Sequence, residues 1–309
     1  MLSDIVSKFS VAVVIVTYNR LKKLKTALYY YEKQILLPEY IIIVNNYSTD
    51  ETKEYLEEWK KKVNKFKKIV INAKENLGGS GGFYLGQQEA MKLNVDWIYL
   101  ADDDAYPDSN YISNLVKYLK KNDAQKYSII CGKVVERGTC CNIHRTYLKT
   151  KWDRNFQKFV PEEDYSRNVF YPDFVSYVGI LINKIKLESV GLVNKDYFIW
   201  YDDTEHSHRL HKVGEIVCLP SCTIIHDVEE DNAVLSWKNY YGYRNNIIFF
   251  KKHFLKQLPF VLIVLILKTL FSPLKGRTLT EVKIRLIAIK DGLLNNLGKH
   301  PIYKPGWKP

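Results

Sequence analysis

Three adjacent carboxylates are the first candidates for chemistry in this sequence. Asp102, Asp103 and Asp104 directly follow the apolar run of residues 97–101, which has the composition of a buried strand. Adjacent carboxylates repel one another, so their ionised forms at a strand end require a cation or solvent. Because alternate side chains of an extended chain point to one side, Asp102 and Asp104 are placed to share one hard divalent ion. A solvated acidic turn is the alternative.

A second acidic pair, Asp202 and Asp203, opens a segment of helical length that ends near residue 212. Carboxylates are favoured at the positive end of a helix, so capping is one role for this pair. The other role is chemical, because a carboxylate within hydrogen-bond reach of a hydroxyl can take its proton as a general base. Both roles stay open at this point.

Histidines occur in two settings that differ in their prospects for metal binding. His206, His208 and His211 lie within one predicted helix, where residues two apart do not share a face, so no metal site is expected there. His226 instead ends the apolar run of residues 222–225 and therefore falls at a strand end, like the Asp triplet. Imidazole can complete a Mn²⁺ or Mg²⁺ site whose other ligands are oxygens.

A glycine-rich segment, Gly78-Gly79-Ser80-Gly81-Gly82, precedes a predicted helix over residues 83–92. Glycines let the backbone approach a ligand closely, and the N-terminus of the following helix favours negative charge such as phosphate. The segment lacks the lysine of a P-loop and does not match the dinucleotide-binding pattern. It predicts a loop that faces phosphate, with a flexible loop as the alternative.

Strand and helix patterns alternate in the first part of the chain. Short apolar runs occupy residues 11–16, 41–44, 69–71 and 97–100, and segments of helical length occupy residues 21–33, 51–62 and 83–92. This alternation predicts a doubly wound, Rossmann-like α/β fold with a mostly parallel central sheet. Ligands bind beyond the carboxyl ends of such strands. The polar residues expected at that edge are Thr17, Asn19, Arg20, Asn45, Asn46, Asn76 and Asp102 to Asp104.

The remainder of the chain is less regular. Residues 174–182 are a strand candidate, residues 236–254 a helix, and residues 258–271 an apolar segment. An amphipathic stretch follows, with apolar residues at Leu279, Val282, Leu286, Ile289, Leu293 and Leu297. We predict a catalytic domain over residues 1–230, with halves at about 1–127 and 128–230, and a helical C-terminal region over residues 231–309.

Composition narrows the class of protein. The 309 residues are 46% hydrophobic, which predicts one or two folded domains and excludes general disorder. Five cysteines without CxxC pairs make a poor disulfide framework and a poor zinc site, so a reducing, cytosolic setting without an export signal is expected. The net charge of +12 implies an anionic partner, which leaves nucleic acid, anionic lipid and phosphorylated small molecules. The longest apolar run, residues 258–267, is too short to span a bilayer.

Taken together, the motifs resemble those of the inverting family 2 glycosyltransferases with the GT-A fold. The matching segments are Val16-Thr17-Tyr18-Asn19-Arg20, Asn45-Asn46-Tyr47-Ser48-Thr49-Asp50, the Asp triplet, the Asp202-Asp203 pair and Tyr240-Tyr241-Gly242-Tyr243-Arg244-Asn245. Within that family, the segment from Asn76 to Phe83 is similar to a loop of galactofuranosyltransferases, which also carry a three-Asp motif.

The resemblance implies a role for each matching residue. Asp102, Asp104 and His226 would hold Mn²⁺ or Mg²⁺ on the donor diphosphate, and Asp203, beside Asp202, would be the catalytic base. The implied donor-binding residues are Thr17, Asn19, Arg20, Asn45, Asn76, Gly78, Gly79, Asp102 and Asp103.

The implied activity is inverting transfer of galactofuranose from UDP-galactofuranose to a lipid-linked or polysaccharide acceptor in cell-surface glycan synthesis. Many family members have Asp where Asn45 stands, so a dTDP-rhamnose-dependent rhamnosyltransferase is the alternative. A nucleic-acid-binding or non-catalytic glycan-binding protein is the alternative from a different class, and the acidic motifs argue against bound nucleic acid.

Basic residues flank the C-terminal apolar run, as expected for a helical region that associates with the anionic inner face of the cell membrane. They are Lys251, Lys252, Lys256, Lys275, Arg277, Lys283 and Arg285. The protein is thus expected in the cytoplasm, peripheral on that membrane. The alternative is burial of the run in the core or in the interface of a homo-oligomer.

Overall fold

The computed structural model describes residues 9–149, 155–228 and 235–309. The predicted domain boundary at residues 230 and 231 lies outside these ranges. The strands are β1 Val11–Thr17, β2 Tyr40–Asn45, β3 Lys67–Asn72, β4 Trp97–Asp102, β5 Ala105–Pro107, β6 Tyr127–Glu136, β7 Thr139–Cys140, β8 Arg145–Leu148, β9 Gln157–Phe159, β10 Phe174–Val175, β11 Ile180–Asn183 and β12 Glu215–His226. The α-helices are α1 Leu21–Glu32, α2 Thr52–Lys61, α3 Gly78–Met91, α4 Tyr111–Lys121, α5 Lys184–Val190, α6 Asp202–His211, α7 Lys238–His253, α8 Leu258–Leu270 and α9 Leu279–Leu294.

One large sheet organises the described part of the chain, with strand order β3-β2-β1-β4-β11-β6-β12-β5 and β7 beside β6. Strand β1 is parallel to both β2 and β4, so Thr17 lies opposite Asn45, and Val16 opposite Asp102. The predicted parallel core is therefore confirmed, and its carboxyl edge carries the polar residues expected there. The sheet as a whole is mixed rather than mostly parallel, because β11 runs antiparallel to β4 and β6, and β5 antiparallel to β12.

Both faces of the sheet are covered, which explains why β1 is apolar at nearly every position. Val11, Val13 and Ile15 pack with residues of α1, α2 and α4 on one face. Ala12 and Val14 pack with residues of α3, α5 and α6 on the other. Burial of each such valine or isoleucine side chain contributes about 1.5–3 kcal/mol, which holds the strand ends in place.

Helix α3 begins at Gly78, five residues earlier than predicted. The Asn76 side chain accepts a hydrogen bond from Gly78 N at 2.8 Å, and Gly78 has φ +71, a conformation that favours glycine. Gly82 lies so close to β1 that an added Cβ would come within 2.4 Å of Val16 Cγ1. The glycine-rich segment is thus the first turn of a helix packed tightly on the sheet, not an extended loop.

The strand predicted over residues 174–182 is two short strands in different sheets. Strand β10 belongs to a separate antiparallel sheet of order β10-β8-β9, whereas β11 joins the main sheet. Arg145, fully buried, donates to Val178 O at 2.8 Å in the turn between them. Gly179 at φ +71 completes this turn, which local apolar composition does not reveal.

The C-terminal helices follow the predicted positions, but α9 buries only part of the predicted apolar stripe. Helix α9 buries Ile284, Ala288 and Gly292 together with Ile289 of that stripe, whereas Leu279 and Leu286 of the stripe are 80% and 49% exposed. An added Cβ at Gly292 would come within 2.8 Å of Ile247 Cβ in α7, so small residues decide which face packs. None of the helices in the described ranges is long and apolar enough to cross a membrane.

The chain after α9 folds back onto the first part of the protein. Gly298 N donates to Asp196 O at 2.6 Å, and Lys299 Nζ donates to Asn76 O at 3.2 Å. Tyr241 in α7 donates to the Tyr303 carbonyl at 2.8 Å. The C-terminal residues are therefore part of the wall around the glycine-rich turn.

Candidate functional site

A cavity of about 290 Å³ lies at the carboxyl ends of β1 and β4. Seven of the nine predicted donor-binding residues line it, namely Thr17, Arg20, Asn76, Gly78, Gly79, Asp102 and Asp103. Gly79 has no neighbouring atom within 4 Å of an added Cβ, so its backbone faces open space. The parallel strands and the first turn of α3 thus bring these seven residues, up to 86 positions apart in the sequence, to one opening.

Asn19 and Asn45, the other two predicted donor-binding residues, are bound to the protein instead. Asn19 Oδ1 accepts from Thr49 N at 2.7 Å. Asn45 Nδ2 donates to Asn72 Oδ1 at 2.9 Å, and its Oδ1 accepts from Ser48 N at 3.0 Å. Both asparagines shape the loop after β2 and do not line the cavity.

Asp103 lines the cavity and is hydrogen-bonded by two other lining residues. Thr17 Oγ1 donates to Asp103 at 2.7 Å, and Arg20 Nη1 donates to it at 3.3 Å. Burial raises the pKa of Asp103 to about 6, although the Arg20 charge opposes this rise. Arg20 also donates to Asp104 at 2.7 Å, so one guanidinium partly compensates two carboxylates.

Asp102, Asp104 and His226 form a group whose ligand atoms all lie within 4.8 Å of one another. Asp104 Oδ1 is buried without a hydrogen-bond partner and lies 3.4 Å from His226 Nε2. Burial, and then the charge of Asp104, raise the pKa of Asp102 to about 7. The group offers two carboxylates and an imidazole, and one of its carboxylate oxygens is buried without a hydrogen-bond partner. Such a set of ligand atoms fits a hard divalent cation such as Mn²⁺ or Mg²⁺.

His226 is held from its other side by Glu136, which the sequence analysis did not single out. His226 Nδ1 lies 2.7 Å from Glu136 Oε1, and His144 Nε2 lies 2.7 Å from the same oxygen. The hydrogen bond from His144 lowers the pKa of Glu136 to about 2, and the hydrogen bond from His226 adds to this effect. Together they outweigh burial, which alone would raise the pKa. His144 Nδ1 in turn lies 2.7 Å from Ser176 Oγ. The only sequence signal was the position of Glu136 at the end of an apolar run.

The acidic pair opens α6 after an unusual backbone segment. Phe198, Trp200 and Tyr201 have φ values of 67, 62 and 68, in the left-handed region. Tyr201 is the N-cap residue, so neither carboxylate takes the predicted capping position. Asp203 Oδ1 accepts from Thr204 N at 2.6 Å instead.

The two carboxylates of the pair differ in their surroundings. Burial, and then the charge of Asp203, raise the pKa of Asp202 to about 8, and Asp102 adds to this rise. Burial also raises the pKa of Asp203, but hydrogen bonds from Thr204 oppose that change. The pair therefore lies within electrostatic range of the Asp triplet, and Asp202 holds its proton more tightly.

Five other lining residues come from segments without a recognisable motif, namely Phe198, Ile199, Trp237, Lys238 and Pro305. Val16, Tyr18 and Asn46, which belong to the motif segments at the ends of β1 and β2, line the cavity too. Asn46 donates to Gly78 O at 2.9 Å and so holds the glycine turn. Lys238 and Pro305 reach the site only because the C-terminal segments return to it.

The histidines of α6 do not form a metal group. His206 is buried and lies 2.6 Å from the Tyr177 hydroxyl. His208 stacks on Phe174 at a ring-centroid distance of 5.7 Å, and His211 lies 3.3 Å from Asp173. Each ring thus has a separate structural partner.

Similar proteins and structures were found for most of the chain. It is 27% identical over 207 residues to galactofuranosyltransferase GlfT1 of Mycolicibacterium smegmatis strain ATCC 700084 / mc(2)155, and the match spans 66% of each protein, just under two thirds. It is 23% identical over 300 residues to dTDP-rhamnosyl transferase RfbF of Shigella flexneri, across 91% of this chain and 94% of that protein. The crystal structure of GalNAc-T7 with UDP, GalNAc and Mn²⁺ superimposes with a TM-score of 0.61 at 16% identity, over 79% of this chain and 48% of that one, which shows a shared GT-A-like fold.

A family model matches the segment that carries the parallel strands and the Asp triplet. The model is described as Glycosyl transferase family 2, and it matches residues 12–177. That range is more than half of the 309 residues and includes all nine predicted donor-binding positions. The chain belongs to glycosyl transferase family 2.

Proposed function

We propose that this protein transfers galactofuranose from UDP-galactofuranose to a lipid-linked or polysaccharide acceptor with inversion, in cell-surface glycan synthesis. The observation that carries the proposal is the convergence of Asp102, Asp104 and His226 beside the cavity that the glycine turn lines. A divalent cation bound there would neutralise charge on the departing nucleoside diphosphate. The likeness to GlfT1 supports galactofuranose as the sugar.

Asp203 is the proposed general base. It is less buried than Asp202, and hydrogen bonds from Thr204 favour its ionised form. Asp202 holds a proton near neutral pH, so it is suited to bind an acceptor hydroxyl rather than to deprotonate it. In an inverting transfer the base takes the hydroxyl proton while that oxygen attacks the sugar carbon from the side opposite the leaving group.

Donor binding is assigned to the groups that line the cavity. Thr17, Arg20 and Asn76 offer polar side chains, while Gly78 and Gly79 lie at the N-terminus of α3, where negative charge is favoured. Asn45 would act indirectly, because its amide holds the loop after β2 through Asn72 and Ser48.

A dTDP-rhamnose-dependent rhamnosyltransferase is the second candidate, and the likeness to RfbF over 91% of this chain favours it. A donor screen separates the two. Purified protein, Mn²⁺ or Mg²⁺ and a crude lipid acceptor are incubated with each nucleotide sugar, and nucleoside diphosphate release is measured. Release of UDP only from UDP-galactofuranose supports the galactofuranosyltransferase. Release of dTDP only from dTDP-rhamnose would instead support the rhamnosyltransferase. Asp203→Asn is the inactive control.

Peripheral association with the inner face of the cell membrane is proposed for the C-terminal helices. Helix α8 buries only Leu258, Val261 and Thr269 and exposes apolar side chains along its length. The exposed apolar residues of this region are Phe260, Ile263, Ile266, Leu267, Leu270, Phe271 and Leu274. Such a face beside basic residues fits an anionic bilayer surface; the side chain of Lys275 lies outside the described part.

Vesicle sedimentation tests this association with single substitutions. Deletion of the C-terminal region would also remove α9, which packs on α7, so the loss of binding would not be specific. Ile263→Asp in α8 is expected to abolish sedimentation with anionic vesicles, whereas Ile35→Asp, at an exposed position just after α1, leaves it unchanged. Equal sedimentation of both variants would contradict the proposal, and a shift of Ile263→Asp from dimer to monomer would assign the face to a homo-oligomer.

A further inference from the structure

A second group of metal-ligating side chains lies next to the Asp triplet, on the other side of His226. Glu136, His144 and His226 each offer one ligand atom, and these atoms all lie within 4.8 Å of one another. His144 Nε2 and His226 Nδ1 each lie 2.7 Å from the same oxygen, Glu136 Oε1. The function proposed above uses the other nitrogen of His226, which faces Asp104. The second group is therefore a candidate site in its own right.

The ends of two parallel strands and one helical turn position this group. Glu136 is the last residue of β6 and His226 the last of β12, and the two strands are parallel neighbours. His144 ends the 3₁₀ turn Asn142–His144, which follows the hairpin of β6 and β7. The rings of the two histidines meet edge to face, with their centroids 5.1 Å apart. Both imidazoles thus converge on one carboxylate from segments that the sheet holds in place.

The three side chains are largely enclosed and already oriented. The side chains of His144, His226 and Glu136 are 9%, 13% and 19% exposed. His144 Nδ1 lies 2.7 Å from Ser176 Oγ, a contact that directs its Nε2 toward Glu136. A hydrogen bond at the second ring nitrogen is typical of imidazoles that bind metals, because it fixes the direction of the ring. An ion that enters this group would therefore meet ligand atoms that need little reordering.

The ligand types in this group favour zinc. Two imidazoles and one carboxylate are a known three-residue set for Zn²⁺, and they leave the fourth position of a tetrahedral site open. The Cys141 thiol interacts with the Glu136 carboxylate and lies three residues before His144 in the sequence. Thiolate and imidazole suit Zn²⁺, whereas Mg²⁺ and Mn²⁺ prefer oxygen ligands. The spacing of the cysteines alone predicts no zinc site, because His226 joins from a strand end 90 positions beyond Glu136.

We infer that this group is a zinc site, in which the ion is bound by Glu136, His144 and His226. Cys141 is the fourth ligand and binds as the thiolate, so its proton is released. In the zinc-bound state the ring hydrogen of His144 lies on Nδ1, where Ser176 Oγ accepts it, and that of His226 lies on Nε2. Zinc binding itself does not depend on the proposed function.

Zinc in this site would weaken metal binding at the Asp triplet, because the two sites share one ring. A neutral imidazole offers one lone pair to a metal, so a ring that binds Zn²⁺ through Nδ1 carries its hydrogen on Nε2. His226 Nε2, 3.4 Å from Asp104, then no longer serves as a ligand of Mn²⁺ or Mg²⁺. The coupling is reciprocal, so each ion lowers the affinity of the other. This part of the inference rests on the proposed function and makes zinc an inhibitor of transfer.

Zinc titration of the full-length, metal-free protein tests the site without donor or acceptor. Calorimetry is expected to show tight binding of one Zn²⁺ per chain. Co²⁺ serves as a spectroscopic probe, because a thiolate ligand gives a near-ultraviolet charge-transfer band and tetrahedral coordination gives intense visible bands. Both features are expected for the unaltered protein.

Substitutions with matched controls locate the ion. His144→Gln is expected to weaken Zn²⁺ binding by about 100-fold, since loss of a ligand should reach the upper end of the losses that follow changes beside one. Cys141→Ser is expected to remove the charge-transfer band. His211→Gln and Cys140→Ser lie outside the group and are expected to bind as the unaltered protein does. Circular dichroism verifies that each variant is folded.

Measurements with both metals test the coupling. Electron paramagnetic resonance follows Mn²⁺ binding with and without Zn²⁺. Zinc that saturates the unaltered protein is expected to weaken Mn²⁺ binding by about tenfold, and the same zinc concentration should have no such effect in His144→Gln. Asp102→Asn is expected to lower the affinity for Mn²⁺ and to leave that for Zn²⁺ unchanged, because Asp102 belongs to the first group only.

Two results would overturn the zinc site: no stoichiometric Zn²⁺ binding by the unaltered protein, or equal Zn²⁺ affinity in His144→Gln and His211→Gln. A Co²⁺ complex without the charge-transfer band would remove Cys141 from the site, and unchanged Mn²⁺ binding in zinc-loaded protein would overturn the coupling. The proposed function is judged separately. Tight zinc binding by a protein that transfers no sugar sinks the function alone, and Mn²⁺-dependent transfer by a protein that binds no zinc sinks the zinc site alone.

Discussion

Arg20 Nη1 lies 2.7 Å from Asp104 Oδ2, so a guanidinium compensates one oxygen of the carboxylate whose other oxygen has no hydrogen-bond partner. The Arg20 side chain is about half exposed, whereas Asp104 is buried. This pairing explains how adjacent carboxylates persist at a strand end without a bound cation. It would make Arg20 and the proposed divalent cation partly interchangeable as sources of positive charge.

Replacement of Arg20 by Ala is expected to lower the free energy of unfolding by about 1 kcal/mol, a modest value because half of the side chain is in solvent. Added Mn²⁺ should recover more stability in Arg20→Ala than in the unaltered protein. Thermal unfolding with and without Mn²⁺ measures both effects, and Lys61→Ala, at an exposed ion pair, is the control. An equal Mn²⁺ response in all three proteins would contradict the compensating role of Arg20.

Replacement of Asp203 by Asn is expected to lower kcat by about 10²- to 10⁴-fold, because the proposed general base is lost while the geometry is kept. The KM for the donor should stay within about twofold, since Asp203 does not line the donor cavity. Asp202→Asn should cost less, because burial and the neighbouring charge already favour a proton on Asp202. Steady-state kinetics with the donor found by the screen measure kcat and KM of both variants. A larger loss of kcat in Asp202→Asn than in Asp203→Asn would assign the general base to Asp202 instead.

Replacement of Glu136 by Gln is expected to weaken Mn²⁺ binding by about 10- to 100-fold, a typical loss when the partner of a ligating imidazole is changed. Glu136 holds His226 Nδ1 at 2.7 Å, which directs Nε2 toward Asp104. Electron paramagnetic resonance of Mn²⁺ measures the affinity, and ¹⁵N spectroscopy of the ring reports which nitrogen carries the proton. Glu163→Gln, at an exposed position, should change neither. An unaltered His226 tautomer in Glu136→Gln would remove the positioning role.

Glu205 is expected to make stability depend on pH in the acidic range. Burial opposes its ionisation, but the hydrogen bond from His253 and the charges of Arg209 and Lys252 outweigh burial and lower the pKa of Glu205 below its usual 4.5. A depressed pKa stabilises the fold above pH 4.5, and this contribution is lost as the pH falls below that value.

Glu205→Gln should therefore cost about 3 kcal/mol at pH 7, because it leaves the partly buried Arg209, together with Lys252, without their anion, and the cost should shrink toward pH 3. Urea unfolding at pH 7 and at pH 3.5 measures the change. Glu188→Gln, at an exposed position in α5, should track the unaltered protein at both values. A penalty for Glu205→Gln that does not vary with pH would argue against the ionised state of Glu205.

Much of the donor side of the site was predictable before the fold was known. Apolar runs locate β1, β2 and β4, and the carboxyl ends of parallel strands meet at one edge. Thr17, Asp102 and His226 could therefore be placed together, because strand position is a local property of the sequence. The roles of Asp203 and of the metal ligands stay predictions until activity is measured.

Only the tertiary structure determines which of the predicted site side chains are available to bind a ligand. Asn45 is occupied by Asn72 and Ser48, and Glu136 holds His226, through contacts between distant segments. The left-handed backbone at Trp200 and Tyr201, and the return of Pro305 to the donor cavity, likewise have no local signature. These features depend on packing summed over the whole chain, because strained backbone and buried polar groups persist only where many neighbours together hold them in place.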